Sequence, residues 1–213
     1  MEFNLTEIEI RVLGSLMEKE RQTPEYYPVT LNYITNACNQ KSNREPVSDY
    51  SQDEVYEALL SLKRKNLIWE VSIAGSARQP KYEHKINAAM NLTDAQFAII
   101  AVLLLRGPQL PGEINSRTNR YYEFEDLAEV HRTLESLIDG EHGKLVIKLP
   151  IESGRKESKF MHLLSGTFDF ESYKAKAEEE KEKEKNLVER VEYLEAELEK
   201  LKQMIIDFKG QFE

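Results

Sequence analysis

Residues 51–86 read SQDEVYEALLSLKRKNLIWEVSIAGSARQPKYEHKI, and a change of hydrophobic period inside this stretch decides the fold. Val55, Leu59 and Leu62 recur at helical spacing behind a start signal, Ser51 with Glu54. From Leu67 the period becomes two: Leu67, Trp69, Val71 and Ile73 alternate with Ile68, Glu70 and Ser72. Ala74-Gly75-Ser76 breaks the run, and Tyr82, His84 and Ile86 alternate on the way back. The pattern predicts a helix from Ser51 to about Asn66 followed by a β-hairpin with a polar tip. Upstream, Leu31, Ile34 and Cys38 share a helical face flanked by Pro28 and the polar run Asn39–Asn43. Further upstream, Thr6 with Glu9 forms a capping box ahead of Ile8, Val12 and Leu16.

The same order occurs again. Leu5-Thr6-Glu7 returns 87 residues later as Leu92-Thr93-Asp94, and Val12, Leu13 and Leu16 match Ile99, Ile100 and Leu103 at that offset. Lys81-Tyr82-Glu83-His84 returns 78 residues later as Lys159-Phe160-Met161-His162, with Leu67 on Leu145 and Val71 on Leu149. Thr93 with Gln96 opens the second copy. Leu127, Val130, Leu134 and Leu137 form its third helix, which begins near Glu123. Leu145, Ile147, Leu149 and Ile151, then Phe160, His162 and Leu164, form its hairpin around Ser153-Gly154. Two copies of a supersecondary unit in one order indicate duplication. Three helices and a hairpin make a winged helix. The expected fold class is mainly α (α+β): winged-helix domains at 1–90 and 91–168, then a coiled-coil helix within 169–213.

Composition excludes several alternatives. No apolar run among the 213 residues approaches the ~18–20 that span a bilayer, so no membrane partner is expected. The N-terminus lacks a basic region followed by an apolar stretch, and the chain holds one cysteine; both fit a cytoplasmic location. Net charge is −9, and residues 169–213 carry nine basic against fourteen acidic side chains. Residues 1–90 are nearly balanced, at 11 against 13, which leaves room for a local basic face. Cys38 on an apolar face reads as a small hydrophobe. His84 and His162 repeat at equivalent hairpin positions, which suggests a role in the fold. No phosphate loop or His/Glu metal cluster occurs, so no catalytic, metal or cofactor site is assigned and an enzyme is not expected.

In a DNA-binding winged helix the third helix enters the major groove, and the wing lies along the backbone or in the minor groove. The first copy offers Lys41 and Arg44 in the loop before that helix, Gln52 and Tyr56 near its start, Lys63 and Arg64 near its end, and Arg78 and Lys81 on the wing. Gln52 and Tyr56 are the candidates for base reading, and the cations for phosphate contact. Each has a structural alternative: Lys63 and Arg64 suit a helix C-terminus, while Lys41 and Arg44 suit holding the 39–46 loop through backbone carbonyls. The second copy offers Arg117, Arg120, Arg155, Lys156 and Lys159, but its third helix opens on Glu123-Phe124-Glu125-Asp126. The first copy is therefore the expected DNA reader, with double-stranded DNA as partner and a protein–protein adaptor as the rival reading.

Cys38-Asn39-Gln40-Lys41-Ser42-Asn43-Arg44-Glu45-Pro46-Val47 resembles the signature of the YceH family of bacterial proteins. Gly75-Ser76-Ala77-Arg78 with Lys81-Tyr82-Glu83-His84 is similar to that family's first wing, and residues 104–109 with 111–114 to the start of its second unit. The resemblance spans roughly residues 3–168 and implies a tandem winged-helix protein, with no reaction attached. Glu45 stands where the family pattern suggests Asp.

Beyond the charged run 174–186, Leu187, Val191, Leu194, Leu198, Leu201, Ile205, Phe208 and Phe212 follow at alternating spacings of four and three. That is an a/d seam. Eight exposed apolar side chains would be a solubility problem, so the expected partner is a second copy through this helix.

Overall fold

The computed structural model describes residues 3–71, 79–140, 144–151 and 156–166, with 171, 173, 175, 190, 191, 193–200 and 202. Met1–Thr167 form one compact unit and Phe168–Glu213 another. The larger unit runs through α1 (Glu7–Gln22), a 3-10 turn (Pro24–Tyr26), β1 (Val29–Thr30), α2 (Leu31–Cys38), α3 (Gln52–Arg64), β2 (Ile68–Val71) and β3 (Lys81–His84). A short α4 (Ile86–Met90) leads to α5 (Asp94–Arg106), α6 (Pro111–Thr118), α7 (Leu127–Ile138), β4 (Val146–Lys148) and β5 (Phe160–His162). The fold is α+β, with three helices and an antiparallel hairpin occurring twice.

The helix starts follow from capping. Thr6, Ser51 and Thr93 each accept the backbone N–H three residues on, and the side chains of Glu9, Glu54 and Gln96 reach back to the cap N–H. Two otherwise unpaired donors are satisfied at each start. The start of α7 lies later than its sequence suggested: Asp126 is the cap and accepts from Glu129 N.

In the first copy β3 lies between β1 and β2, with Val29 opposite Tyr82 and Ile68 opposite His84. The two-residue β1 is too short for any periodicity to reveal. Its counterpart in the second copy is a single bridge, in which Gln109 N donates to Phe160 O (3.0 Å) and Phe160 N to Gln109 O (2.8 Å).

The alternation Leu67, Trp69, Val71 does not form one inward face. Leu67 closes the turn after α3, where Asn66 has a φ of +63° and Leu67 N donates to Leu62 O. The strand phase starts one residue later, so Ile68 is buried and Trp69 is 55% exposed. Lys85 Nζ sits 4.5 Å from the centre of the Trp69 ring. The second hairpin departs only in part: Leu145 and Leu149 are buried as expected, but Val146 is fully buried and Ile151 exposed. On the return strands Tyr82, His84, Phe160, His162 and Leu164 are buried.

The two copies share a continuous core. Phe97 to Leu105 of α5 are all buried, as befits a helix apolar all round. Helix α1 packs against α5, and Gly14 permits the approach: a Cβ there would lie 2.9 Å from Leu104 Cβ and 3.1 Å from Leu105 Cγ. In the smaller unit residues 193–200 are helical, and Val191, Leu194 and Leu198 are about half exposed on it. Leu187, Leu201, Ile205, Phe208 and Phe212 lie outside the described residues, as does Arg78 of the first wing. Among the described residues no helix is long and apolar enough to cross a membrane.

Gly14→Val forces the α1 and α5 backbones apart. Overpacking of this kind costs about 1–3 kcal/mol, and the expected result is a lower urea midpoint with an unchanged slope.

Candidate functional site

The third helix of the first copy presents Gln52 and Tyr56 to solvent, with Tyr56 40% exposed. Lys41 is exposed on the loop ahead of it. Of the other expected cations, Lys63 and Arg44 are engaged, while Arg64 is exposed. Lys63 Nζ lies 2.7 Å from Glu70 Oε2, a pair that bridges α3 and the wing. Arg64 lines an open cleft of about 800 Å³ between α1 and α3, together with Glu7, Glu9, Asp53, Glu54 and Glu57. Lys81 is half-buried at the start of β3, opposite Val71 and Thr30. The α1–α3 side of this helix is therefore acidic, which opposes a phosphate backbone.

Arg44 is not a phosphate contact. Its side chain is fully buried and gripped in a fork by Glu18, with Nη1 3.2 Å from Oε1 and Nη2 2.5 Å from Oε2. Its Nε donates to Ala37 O at 3.0 Å, and Nη2 also reaches Gln40 Oε1 at 3.2 Å. Of the two readings of this residue, the structural one holds: it fastens the loop after α2. Burial pushes the Glu18 carboxyl up, but hydrogen bonds and charge from Arg44, with the charge of Lys19, more than reverse this and hold it below the usual carboxylate range. Tyr121 OH donates to Glu18 Oε1 at 3.2 Å, so the second copy joins the pair.

A second buried guanidinium completes the fastening. Arg11 Nη1 donates to Cys38 O and Ser48 Oγ, both at 3.2 Å, and Nη2 to Pro46 O at 2.6 Å. Glu45 N donates to Leu105 O at 3.0 Å, and Arg106 donates to the side chain of Asn43, tying the loop to α5. Sequence reasoning did not single out Arg11 or Glu18. Arg11 stands between Ile10 and Val12, a charge inside an apolar run, whereas Glu18 opens the charged run Glu18-Lys19-Glu20-Arg21 and carried no such signal.

The repeated histidines diverge. His84 Nδ1 accepts from Ile86 N (3.3 Å), Nε2 lies 3.1 Å from Glu20 Oε2, and the ring lies 5.5 Å from that of Phe97. His162 is buried with no partner at Nδ1, and burial pulls its imidazole down to about 4. Burial pushes the Cys38 thiol up to about 11, against its use as a nucleophile at neutral pH. Among the described residues no group of three or more His, Cys, Asp or Glu is placed to hold a metal ion.

The second copy places two lysines and a histidine together beside its third helix. His131 on the exposed side of α7 and Lys148 and Lys156 of the wing line one depression of about 170 Å³, with Pro111, Ser158 and Glu157. Neither lysine makes an ion pair among the described residues. Lys148 and His131 were not candidates from sequence, because a lone lysine at a strand end and a lone histidine on a helix carry no pattern. Arg155 lies outside the described residues.

Residues 5–155 match the family model described as "Protein of unknown function, DUF480". The chain belongs to the DUF480 family. It is 43% identical over 215 residues to UPF0502 proteins of Vibrio vulnificus strains YJ016 and CMCP6, covering 99% of this chain and 97% of each relative. The DUF480 match includes the whole loop held by Arg11 and Arg44 and all three helices of both copies.

Removing one member of a buried ion pair strands the other. Arg44→Met is expected to cost about 3–5 kcal/mol in chemical denaturation, while Glu18→Leu with Arg44→Met should recover part of that loss. Equal destabilisation by the single and double variants would contradict this account of the loop.

Proposed function

We propose that the protein is a non-enzymatic, double-stranded DNA-binding regulator that acts as a dimer, with the helix–wing face of its second copy as the main phosphate contact. The observation that carries the reading is the convergence of His131, Lys148 and Lys156 on one depression between α7 and the wing. A winged helix places a duplex against these two elements. Two acids at the start of α7 are committed to local bonds: Asp126 caps the helix, and Glu129 in its first turn accepts from Glu125 N and Tyr122 OH. Contacts of this kind are mainly to phosphate, so affinity falls steeply with salt.

Fluorescence anisotropy with a random duplex at low salt tests the reading. Binding is expected at micromolar protein, and Lys148→Gln with Lys156→Gln should weaken it and flatten the salt slope by about two phosphate contacts. No binding at tens of micromolar, or binding that the double variant leaves untouched, would overturn it.

The second element of the proposal is dimerisation through the C-terminal helix. Val191, Leu194 and Leu198 are exposed in the single chain and lie on the a/d seam read from sequence. Sedimentation equilibrium should give twice the 24.8 kDa chain mass, and Leu194→Asp with Leu198→Asp should return it to the monomer.

The adaptor reading is favoured by a different observation. Tyr56 and Trp69 are exposed on the first copy, and Tyr and Trp dominate protein-interface hot spots. A partner that stays bound after nuclease treatment and is lost in Trp69→Ala would support it over DNA binding.

A further inference from the structure

Helices α1, α5 and α6 end around a cavity of about 210 Å³, separate from the helix–wing depression. Its wall carries Gln22, the last residue of α1; Arg106, the last of α5; Arg117 in the last turn of α6; and Asn119, Arg120 and Tyr121 just beyond. Among the described residues no carboxylate lines it.

Part of this charge is accounted for. Arg117 Nη2 lies 3.4 Å from Glu113 Oε1, and Arg106 donates to the side chain of Asn43. Three helix C-termini point here, and their partial negative charge favours nearby cations. The rest is not. Arg120 is exposed and makes no ion pair among the described residues. Arg117 Nη1 and Gln22 Nε2 are enclosed in the wall with no hydrogen-bond partner. Burial, and then the positive charge of Arg117, make the Arg106 cation harder to hold. Enclosed donors without acceptors and cations that repel each other are both relieved by one thing, an anion with several oxygens.

We propose that this cavity binds the phosphate group of a small free ligand, inorganic phosphate or a small phosphate monoester. Guanidinium forks match phosphate oxygens, and donors arriving from three helix ends suit a tetrahedral group better than a planar carboxylate. At about 30 Å³ per water the volume equals roughly seven waters, room for phosphate and a short organic remainder. The proposal does not rest on the DNA reading.

The test is a titration of the full chain with inorganic phosphate, followed by calorimetry and by thermal shift, against chloride at matched ionic strength. Saturable binding is expected with phosphate and not with chloride. Arg120→Gln, at a residue that makes no ion pair among the described residues, should weaken it about tenfold, and Arg117→Gln with Arg120→Gln by about tenfold more. The Arg120→Gln chain should keep the wild-type unfolding midpoint without phosphate, so a folding defect is distinguishable. Absence of saturable binding overturns the proposal, as does equal binding by wild type and the double variant. A competition arm separates the sources of phosphate: if random duplex displaces the bound ion, the cavity belongs to a nucleic-acid face and the free-ligand proposal fails; if it does not, the proposal stands.

Discussion

The buried pair of Glu18 and Arg44 is the interaction on which the rest of the arrangement depends. A carboxylate and a guanidinium enclosed together are tolerable only when nearly every donor and lone pair finds a partner. Here Arg44 bonds to Glu18, Gln40 and the Ala37 carbonyl, and Glu18 accepts from Tyr121 as well. The pair therefore dictates where the loop after α2 must lie, and that loop carries the backbone that meets α5 through Glu45 and Asn43. One charge pair thus fixes the entry to α3 and joins the two copies.

This joining explains why a duplicated sequence behaves as one body. Each copy has the elements of a separate winged helix, yet Met1–Thr167 is a single compact unit. Helix α5, apolar on every side, cannot be covered by its own copy alone, and α1 closes over it where Gly14 removes the side chain that would obstruct the approach.

The two copies differ in their surfaces. The first has an acidic cleft beside α3 and exposed aromatics on its helix and wing. The second has lysines beside α7 that make no ion pair among the described residues, and an arginine-lined cavity at the end of α6. His84 and His162 show the same divergence inside: equivalent backbone positions, one with a carboxylate at hand and one buried with no partner at Nδ1 among the described residues.

Element types and their order were legible in the sequence because capping and period are local: Thr6 with Glu9, Ser51 with Glu54 and Thr93 with Gln96 each act within one helical turn. Local pattern erred where one residue of a turn shifted the strand phase, which placed Trp69 outward rather than Ile68. It also could not say which charges were free. Arg44 reads as an exposed loop cation, but its carboxylate lies 26 residues away and the phenol that completes the site 103 residues from that carboxylate. Whether a cation meets solvent, a carboxylate or another cation is set by distances across packed elements. Those distances exist only once the chain has folded, so the tertiary structure alone decided where the chemistry of this protein is exposed.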